Sequence, residues 1–332
     1  MAHLRSLGTA IQDQILPTFG HYAPLLCEKA STIQSIPRSS FTYGPTDRHQ
    51  LDAYMSPNPR IINNRHPVLL FFYGGGFVQG SRTLPVPPLK GLVHANVASF
   101  FARNFGFTVI VPDYRLLSHG AEFPSGGEDV ALTVDWVHNN SGKFGIASGN
   151  DVQGIDLFMI GNSAGGAHVS TFLFSDTFKE TRSNVLEGSN TRLRGVVLLS
   201  SLFSFDRIEV KAKRETLGKY FKDVENNCPL ALMKNAFQSQ QGSLDFVEGG
   251  TRILLLNSEW DPEDECLGPR DDFIKEWLKH GNAKSRRSLA VDIIMGQNHI
   301  SPFLGLSTEI ACEEYWGHQV GNFFLATISE SA

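Results

Sequence analysis

The run Leu157-Phe158-Met159-Ile160 ends in Gly161-Asn162-Ser163-Ala164-Gly165-Gly166, and small and apolar residues continue beyond it. An apolar strand that stops at Gly-x-Ser-x-Gly and restarts as a helix fits few architectures. The bend is so tight that side chains at the flanking positions would strike the adjoining strand and helix. The spacing predicts a strand, a strained turn carrying Ser163, and a helix whose positive end favours negative charge developing beside that hydroxyl. A serine hydroxyl is a weak nucleophile at neutral pH. It needs a base to take its proton and a third group to hold that base.

The apolar runs 67–72, 108–111, 195–199, 252–256 and 289–294 read as further strands, the first of them buried on both faces. Helical patterns lie between them, carried by Val93, Val97, Phe100 and Phe101; by Val130, Val134 and Val137; by Phe273, Trp277 and Leu278; and by Trp316, Val320, Phe323 and Phe324. Strands alternating with amphipathic helices imply an α/β fold with a doubly wound, mostly parallel sheet. Residues 41–54 read as two short strands about Gly44-Pro45, with 51–54 as an edge strand. Residues 1–40 read as a helical arm outside the sheet, its spacing broken by Pro17 and Pro24. The beat fails over 201–250, where Phe203, Phe205, Tyr220, Phe221 and Phe237 favour a packed insertion over the strand ends. The chain is therefore expected to hold one core, 41–200 with 251–328, under a helical cap made of 1–40 and 201–250.

Composition removes several classes of function. With 332 residues, 41% hydrophobic and 19% charged, the chain is ordinary globular material. A net charge of −5 without a basic run argues against nucleic acid or an anionic membrane as partner. Lys211, Lys213 and Arg214 are interrupted by Glu209 and Glu215 and read as a solvated face. No apolar run approaches membrane-spanning length, and residues 1–18 lack the apolar core and cleavage site of a signal peptide. A cytoplasmic location is expected, in which Cys27, Cys228, Cys266 and Cys312 stay free thiols. The eleven histidines are scattered without a H-E-x-x-H pair, so neither a metal nor another cofactor is expected.

In open α/β sheets the partners of a serine should stand in loops past strand ends, in the order Ser, acid, His. His299 follows the last strand in Gly296-Gln297-Asn298-His299, whereas His280 and His318 fall in helical patterns and His168 rides behind the serine. After the preceding strand, Glu259-Trp260-Asp261-Pro262-Glu263-Asp264 offers several acids. Asp261 is preferred because it lies just beyond the strand, in a turn that Pro262 helps to fix. Glu263, Asp264 and Glu259 are the alternatives. Tyr73-Gly74-Gly75-Gly76-Phe77 offers unobstructed backbone N–H donors for a developing oxyanion. The same loop misses the nucleotide fingerprint, since Gly80 comes one residue late and no helix opens at once.

With these pieces in place, the chain resembles the hormone-sensitive-lipase-like carboxylesterases of the α/β-hydrolase fold over about residues 50–325. The family's H-G-G-G looks to be Tyr73-Gly74-Gly75-Gly76, and its G-D/E-S-A-G-G looks to be Gly161-Asn162-Ser163-Ala164-Gly165-Gly166. Its D-Y-R-L is similar to Asp113-Tyr114-Arg115-Leu116, its D-P-L-x-D to Asp261-Pro262-Glu263-Asp264, and its G-x-x-H to the turn ending in His299. The resemblance implies an α/β-hydrolase sheet of about eight strands. It further implies a triad of Ser163, Asp261 and His299, and oxyanion donors on Gly75, Gly76 and Ala164. Asp113 and Arg115 would brace a loop rather than touch substrate. In two places the chain departs from the family: Tyr73 replaces the histidine that pins the glycine loop, and Asn162 replaces the acid before the serine.

The expected activity is hydrolysis of small to medium carboxylic esters through an acyl-serine, by a monomer or homodimer. Phe77, Val78, Phe203, Tyr220 and Phe221 are candidates to line the acyl site, against the plainer reading of core packing. Amidase, formamidase or lactonase chemistry would use the same triad. A member of the fold that only binds its ligand would have lost part of it.

Overall fold

Eight strands rich in aliphatic and aromatic side chains form one sheet in a computed structural model that describes residues 2–143, 152–187, 190–239, 242 and 244–329. They are β1 (Arg38–Thr42), β2 (Gln50–Tyr54), β3 (Arg65–Phe72), β4 (Thr108–Pro112), β5 (Gly154–Asn162), β6 (Thr191–Leu199), β7 (Arg252–Trp260) and β8 (Leu289–Asn298). The order is β1-β2-β4-β3-β5-β6-β7-β8. β2 runs antiparallel to both of its neighbours, and all other pairs are parallel. β4 lies on one side of β3 and β5 on the other, so the winding reverses between β3 and β5. Sheets of this kind receive ligands in the crevice outside the strand ends at such a reversal. The glycine loop and Ser163 leave those two strand ends.

The helices that position the site are α1 (Ile11–Glu28), α2 (Ala95–Phe105), α3 (Ser125–Asn139), α4 (Ala164–Phe174), α5 (Lys179–Glu187), α6 (Lys211–Phe221), α7 (Pro229–Ser239), α8 (Gly268–His280) and α9 (Ala311–Ser329). α2 and α9 pack together on one face of the sheet, where Phe324 meets Phe158 at 4.6 Å between ring centroids. On the other face α4 packs between α3 and α7, and α7 against α8.

Three expectations are corrected here. α1 runs unbroken through Pro17 and Pro24. Both prolines, and the residues four before them (Asp13 and Gly20), lie on its exposed side, so the carbonyls they leave unpaired face water. The buried side is Gln14, Thr18, Tyr22 and Leu26, a mostly polar stripe that a search for apolar spacing passes over. Next, β2 is an interior strand and β1 is the edge. The alternation that suggested an edge comes from Asp52, which is buried and accepts hydrogen bonds from Ser40 Oγ (2.6 Å) and Arg82 Nε (3.2 Å). Finally, residues 201–250 do not all lie over the strand ends. Met233 and Phe237 of α7 join the main core, while Leu217, Tyr220 and Phe221 of α6 join a second apolar cluster with Phe77, Ala164 and Cys266.

Two histidines are sealed in this packing. His94 stacks flat on Tyr73 (4.9 Å, 7°), and His168 packs against Tyr114, Phe77 and Tyr220. Burial pushes both imidazoles down to about 4 from an ordinary value of 6.5. Their folded pKa values lie below those of the unfolded chain, so in that window the unfolded state binds the extra proton. The stabilisation is complete above pH 6.5 and is lost as pH falls toward 4, by up to about 3 kcal/mol for each ring. Urea unfolding across that range should therefore show stability falling with acidification. His94→Asn, which suits the positive φ of that position, should flatten the slope by roughly one ring's share.

Candidate active site

The turn at Ser163 is built by backbone crowding. A side chain at Gly165 would place its Cβ 2.2 Å from the Phe72 carbonyl oxygen, so the first turn of α4 can lie against the end of β3 only with glycine there. Ser163 itself sits at φ +52°, a conformation that L-residues adopt under constraint. Its N–H is held by the Leu199 carbonyl at 2.9 Å. The hydroxyl is thereby fixed above the ends of β3 and β5, facing the glycine loop.

The two other residues named from the sequence meet it there. His299 Nε2 lies 3.0 Å from Ser163 Oγ, and His299 Nδ1 lies 2.7 Å from Asp261 Oδ1. All three side chains are buried. The second carboxylate oxygen of Asp261 accepts from Asn257 Nδ2 (3.0 Å) and the Ser258 N–H (2.9 Å), which fixes the carboxylate plane. Of the alternative acids, Glu263 and Asp264 are exposed, and Glu259 accepts the Gly296 N–H at 2.7 Å.

The glycine loop is clamped from behind. Gly75 adopts φ +146°, where a Cβ would lie 1.9 Å from the Gln79 carbonyl, and the N–H groups of Val78 and Gln79 close onto the Gly75 carbonyl. No acceptor among the described residues takes the N–H of Gly75, Gly76 or Ala164. Tyr73 does the pinning: its hydroxyl donates to Asp113 Oδ1 (2.6 Å) and accepts from Arg48 Nη2 (2.8 Å). Arg48 also reaches the Gly80 carbonyl, and Asp113 receives both the N–H and the guanidinium of Arg82. Asp113 is thus a brace, and so is Arg115, which holds Glu128 and Asp129. Asn162 Nδ2 donates to the Leu199 carbonyl at 3.3 Å.

The apolar candidates divide. Phe77 stacks on Tyr220 (4.6 Å) and meets Phe221 edge-on (5.4 Å), in the cluster that includes Ala164 beside the serine. Val78 is half-exposed on the outer side of the loop. Phe203 is a correction. It turns into the main core against Phe273 at 4.4 Å, while its neighbours Leu202 and Phe205 point into the cluster by the site.

One residue with a direct part in holding the site was missed by sequence reasoning. Gln14 of α1 is wholly buried; its Oε1 accepts the His299 N–H (3.1 Å) and its Nε2 donates to the Trp260 carbonyl (3.0 Å). A single amide therefore ties the loop of the imidazole to the loop of the carboxylate. Thr18 and Tyr22 extend the contact: Asn298 Nδ2 donates to Thr18 Oγ1 (2.9 Å), and the Tyr22 hydroxyl donates to Glu313, which also receives Gln297. The only sequence signal was a polar residue every fourth position on a helix.

A family model described as BD-FAE matches residues 51–220, just over half of the chain. The chain belongs to the BD-FAE family. An acetylcholinesterase of Leptinotarsa decemlineata is 31% identical over 276 residues, covering 76% of this chain and 38% of that protein. The chain thus spans well under half the length of the curated relatives it matches. Among solved structures, a thermostable esterase from Pseudomonas putida has a TM-score of 0.60 at 17% identity, covering 96% of this chain and 93% of that one. An esterase of Pyrobaculum calidifontis gives 0.57 at 18% identity, covering 94% and 93%. Such neighbours show the α/β-hydrolase fold, with its mostly parallel eight-stranded sheet. Among the described residues no helix is long and apolar enough to cross a membrane.

Gln14→Leu keeps the volume of the side chain but leaves the His299 N–H without its acceptor and removes a donor from the Trp260 carbonyl. It should lower the unfolding free energy by about 2–4 kcal/mol, read from urea melts.

Proposed function

We propose that the chain is a serine esterase that hydrolyses small to medium carboxylic esters through an acyl-enzyme. The observation that carries this is the relay from Ser163 Oγ through both nitrogens of His299 to Asp261, spanning 3.0 and 2.7 Å. His299 takes the proton of Ser163 as the oxygen attacks the ester carbonyl, and Asp261 holds the ring in the tautomer that leaves Nε2 free. The N–H groups of Gly75, Gly76 and Ala164, unclaimed by other acceptors, receive the oxyanion at the positive end of α4. His299 then protonates the leaving alcohol, and water repeats the sequence on the acyl-serine.

The relatives support the reading, since a curated protein similar over most of this chain is an acetylcholinesterase and the structural neighbours are esterases. Residues 41–200 and 251–328 would form the hydrolytic core, with α1 and α6 as cover. Phe77, Tyr220 and Phe221 form the apolar wall nearest the serine and would meet the acyl chain. The four cysteines are unbridged, in keeping with a reducing compartment such as the cytoplasm.

Ser163→Ala should lower turnover of a short p-nitrophenyl ester by at least about a thousandfold while leaving the unfolding midpoint in place. A phosphonate ester should label the wild-type chain at Ser163. Labelling elsewhere, or hydrolysis that survives the substitution, would overturn the assignment. A panel of esters of graded acyl length, with anilides and lactones beside them, reads the substrate class directly.

A further inference from the structure

On the side of the His299 ring away from Ser163 stands a group that ester hydrolysis does not use. Cys266 is fully buried, and its Sγ lies 3.7 Å from His299 Nδ1 and 3.9 Å from the Ser200 carbonyl. It is carried on a single π-helical segment, Glu263–Leu267. Wide turns of that type recur at functional sites, and this one swings the thiol back toward Asp261. A carboxylate oxygen of Asp261, Cys266 Sγ and one ring nitrogen of His299 all lie within 4.8 Å of one another. Ser200 Oγ, on the residue whose carbonyl touches the thiol, is buried without a partner among the described residues.

Carboxylate, thiolate and imidazole together are a donor set suited to zinc. The charges also match: Zn2+ with one thiolate, one carboxylate and a neutral imidazole is neutral overall, which removes much of the penalty for burying the ion. Tetrahedral bonds of about 2.0–2.3 Å set neighbouring donor atoms about 3.2–3.8 Å apart. The sulfur and Nδ1 already stand at 3.7 Å. The Nδ1 to Oδ1 distance of 2.7 Å would have to open by roughly half an ångström.

We propose that Asp261, Cys266 and His299 form an inhibitory site for Zn2+ or a similar thiophilic divalent cation. The inhibition rests on the catalytic reading of the same imidazole. As the cation enters, Sγ gives up its proton to solvent, and the single ring proton moves from Nδ1 to Nε2 by exchange with solvent. One proton is released in all, and no redox change is involved. The Nδ1 lone pair then belongs to the metal, and the ring proton must sit on Nε2. That is the atom that has to accept the proton of Ser163. The base is switched off from behind while the substrate side stays empty.

The test uses a chain in which the two exposed thiols are removed, Cys27→Ser with Cys312→Ser, so that they take up no metal. Ester turnover is titrated with Zn2+, and Co2+ is bound in parallel as a spectroscopic probe. The expected result is inhibition fully reversed by a chelator, and a near-ultraviolet thiolate-to-cobalt charge-transfer band saturating at a single Co2+ per chain. Adding Cys266→Ser or Cys266→Ala should abolish the band and raise the half-inhibiting Zn2+ concentration at least about tenfold. A starting chain that shows no such band overturns the proposal whatever the variants do, and so does a band or an unchanged Zn2+ sensitivity in both Cys266 variants. The Co2+ band is also read in Ser163→Ala. Failure of the serine assignment, seen as hydrolysis surviving that substitution, is thereby kept distinct from failure of the metal site.

Discussion

The contact on which the site depends is that of the first turn of α4 with the end of β3, where Gly165 leaves no room for a Cβ beside the Phe72 carbonyl. Everything else at the site takes its position from that contact. It forces Ser163 into a positive φ and raises the hydroxyl above the sheet. The same contact brings the serine to the loop that leaves β3. The carboxylate and imidazole reach the serine from strand ends further along the sheet, those of β7 and β8 beyond β6. A sheet whose winding reverses between β3 and β5 gives this convergence without long connections.

Support for the site comes from polar groups that are buried yet paired. Behind the glycine loop, the Tyr73 hydroxyl joins Asp113, Arg48 and Arg82 into one network. The phenol thus pins the loop through a set of bonds of its own. In a low-dielectric setting such a network is rigid when complete and unfavourable when any member is missing. The Gln14 amide plays the corresponding part beneath the imidazole, where it bonds the His299 N–H and the Trp260 carbonyl at once.

Much of this was legible in the sequence because it depends on short-range chemistry. Short apolar runs set between amphipathic helical patterns read as buried strands, Gly-x-Ser-x-Gly at the end of one reads as a tight bend, and an acid and a histidine just past strand ends are placed by the strands themselves. What could not be read were the contacts between distant polar residues. Asp52 looked like the exposed face of an edge strand because its partners Ser40 and Arg82 are set by pairing, not by local order. α1 looked broken because its prolines are visible in the chain, whereas the reason they are tolerated, a solvent-facing side opposite a polar buried stripe, is visible only once the helix is docked. Phe203 was indistinguishable from Phe205 by type, and the turn after β6 sends them to different clusters.

The docking of α1 has a consequence for how the molecule comes into being. Gln14, Thr18 and Tyr22 are made early on the ribosome, whereas their partners at Trp260, Gln297, Asn298, His299 and Glu313 are made late. The helix must therefore wait, its polar stripe in water, until β8 and the residues after it have emerged. A nascent chain that already displays the serine elbow carries the Gln14 amide but still lacks the imidazole and the carboxylate. The relay of Ser163, His299 and Asp261 is complete only when the segment that carries Gln14 and the segment that carries His299 close on each other.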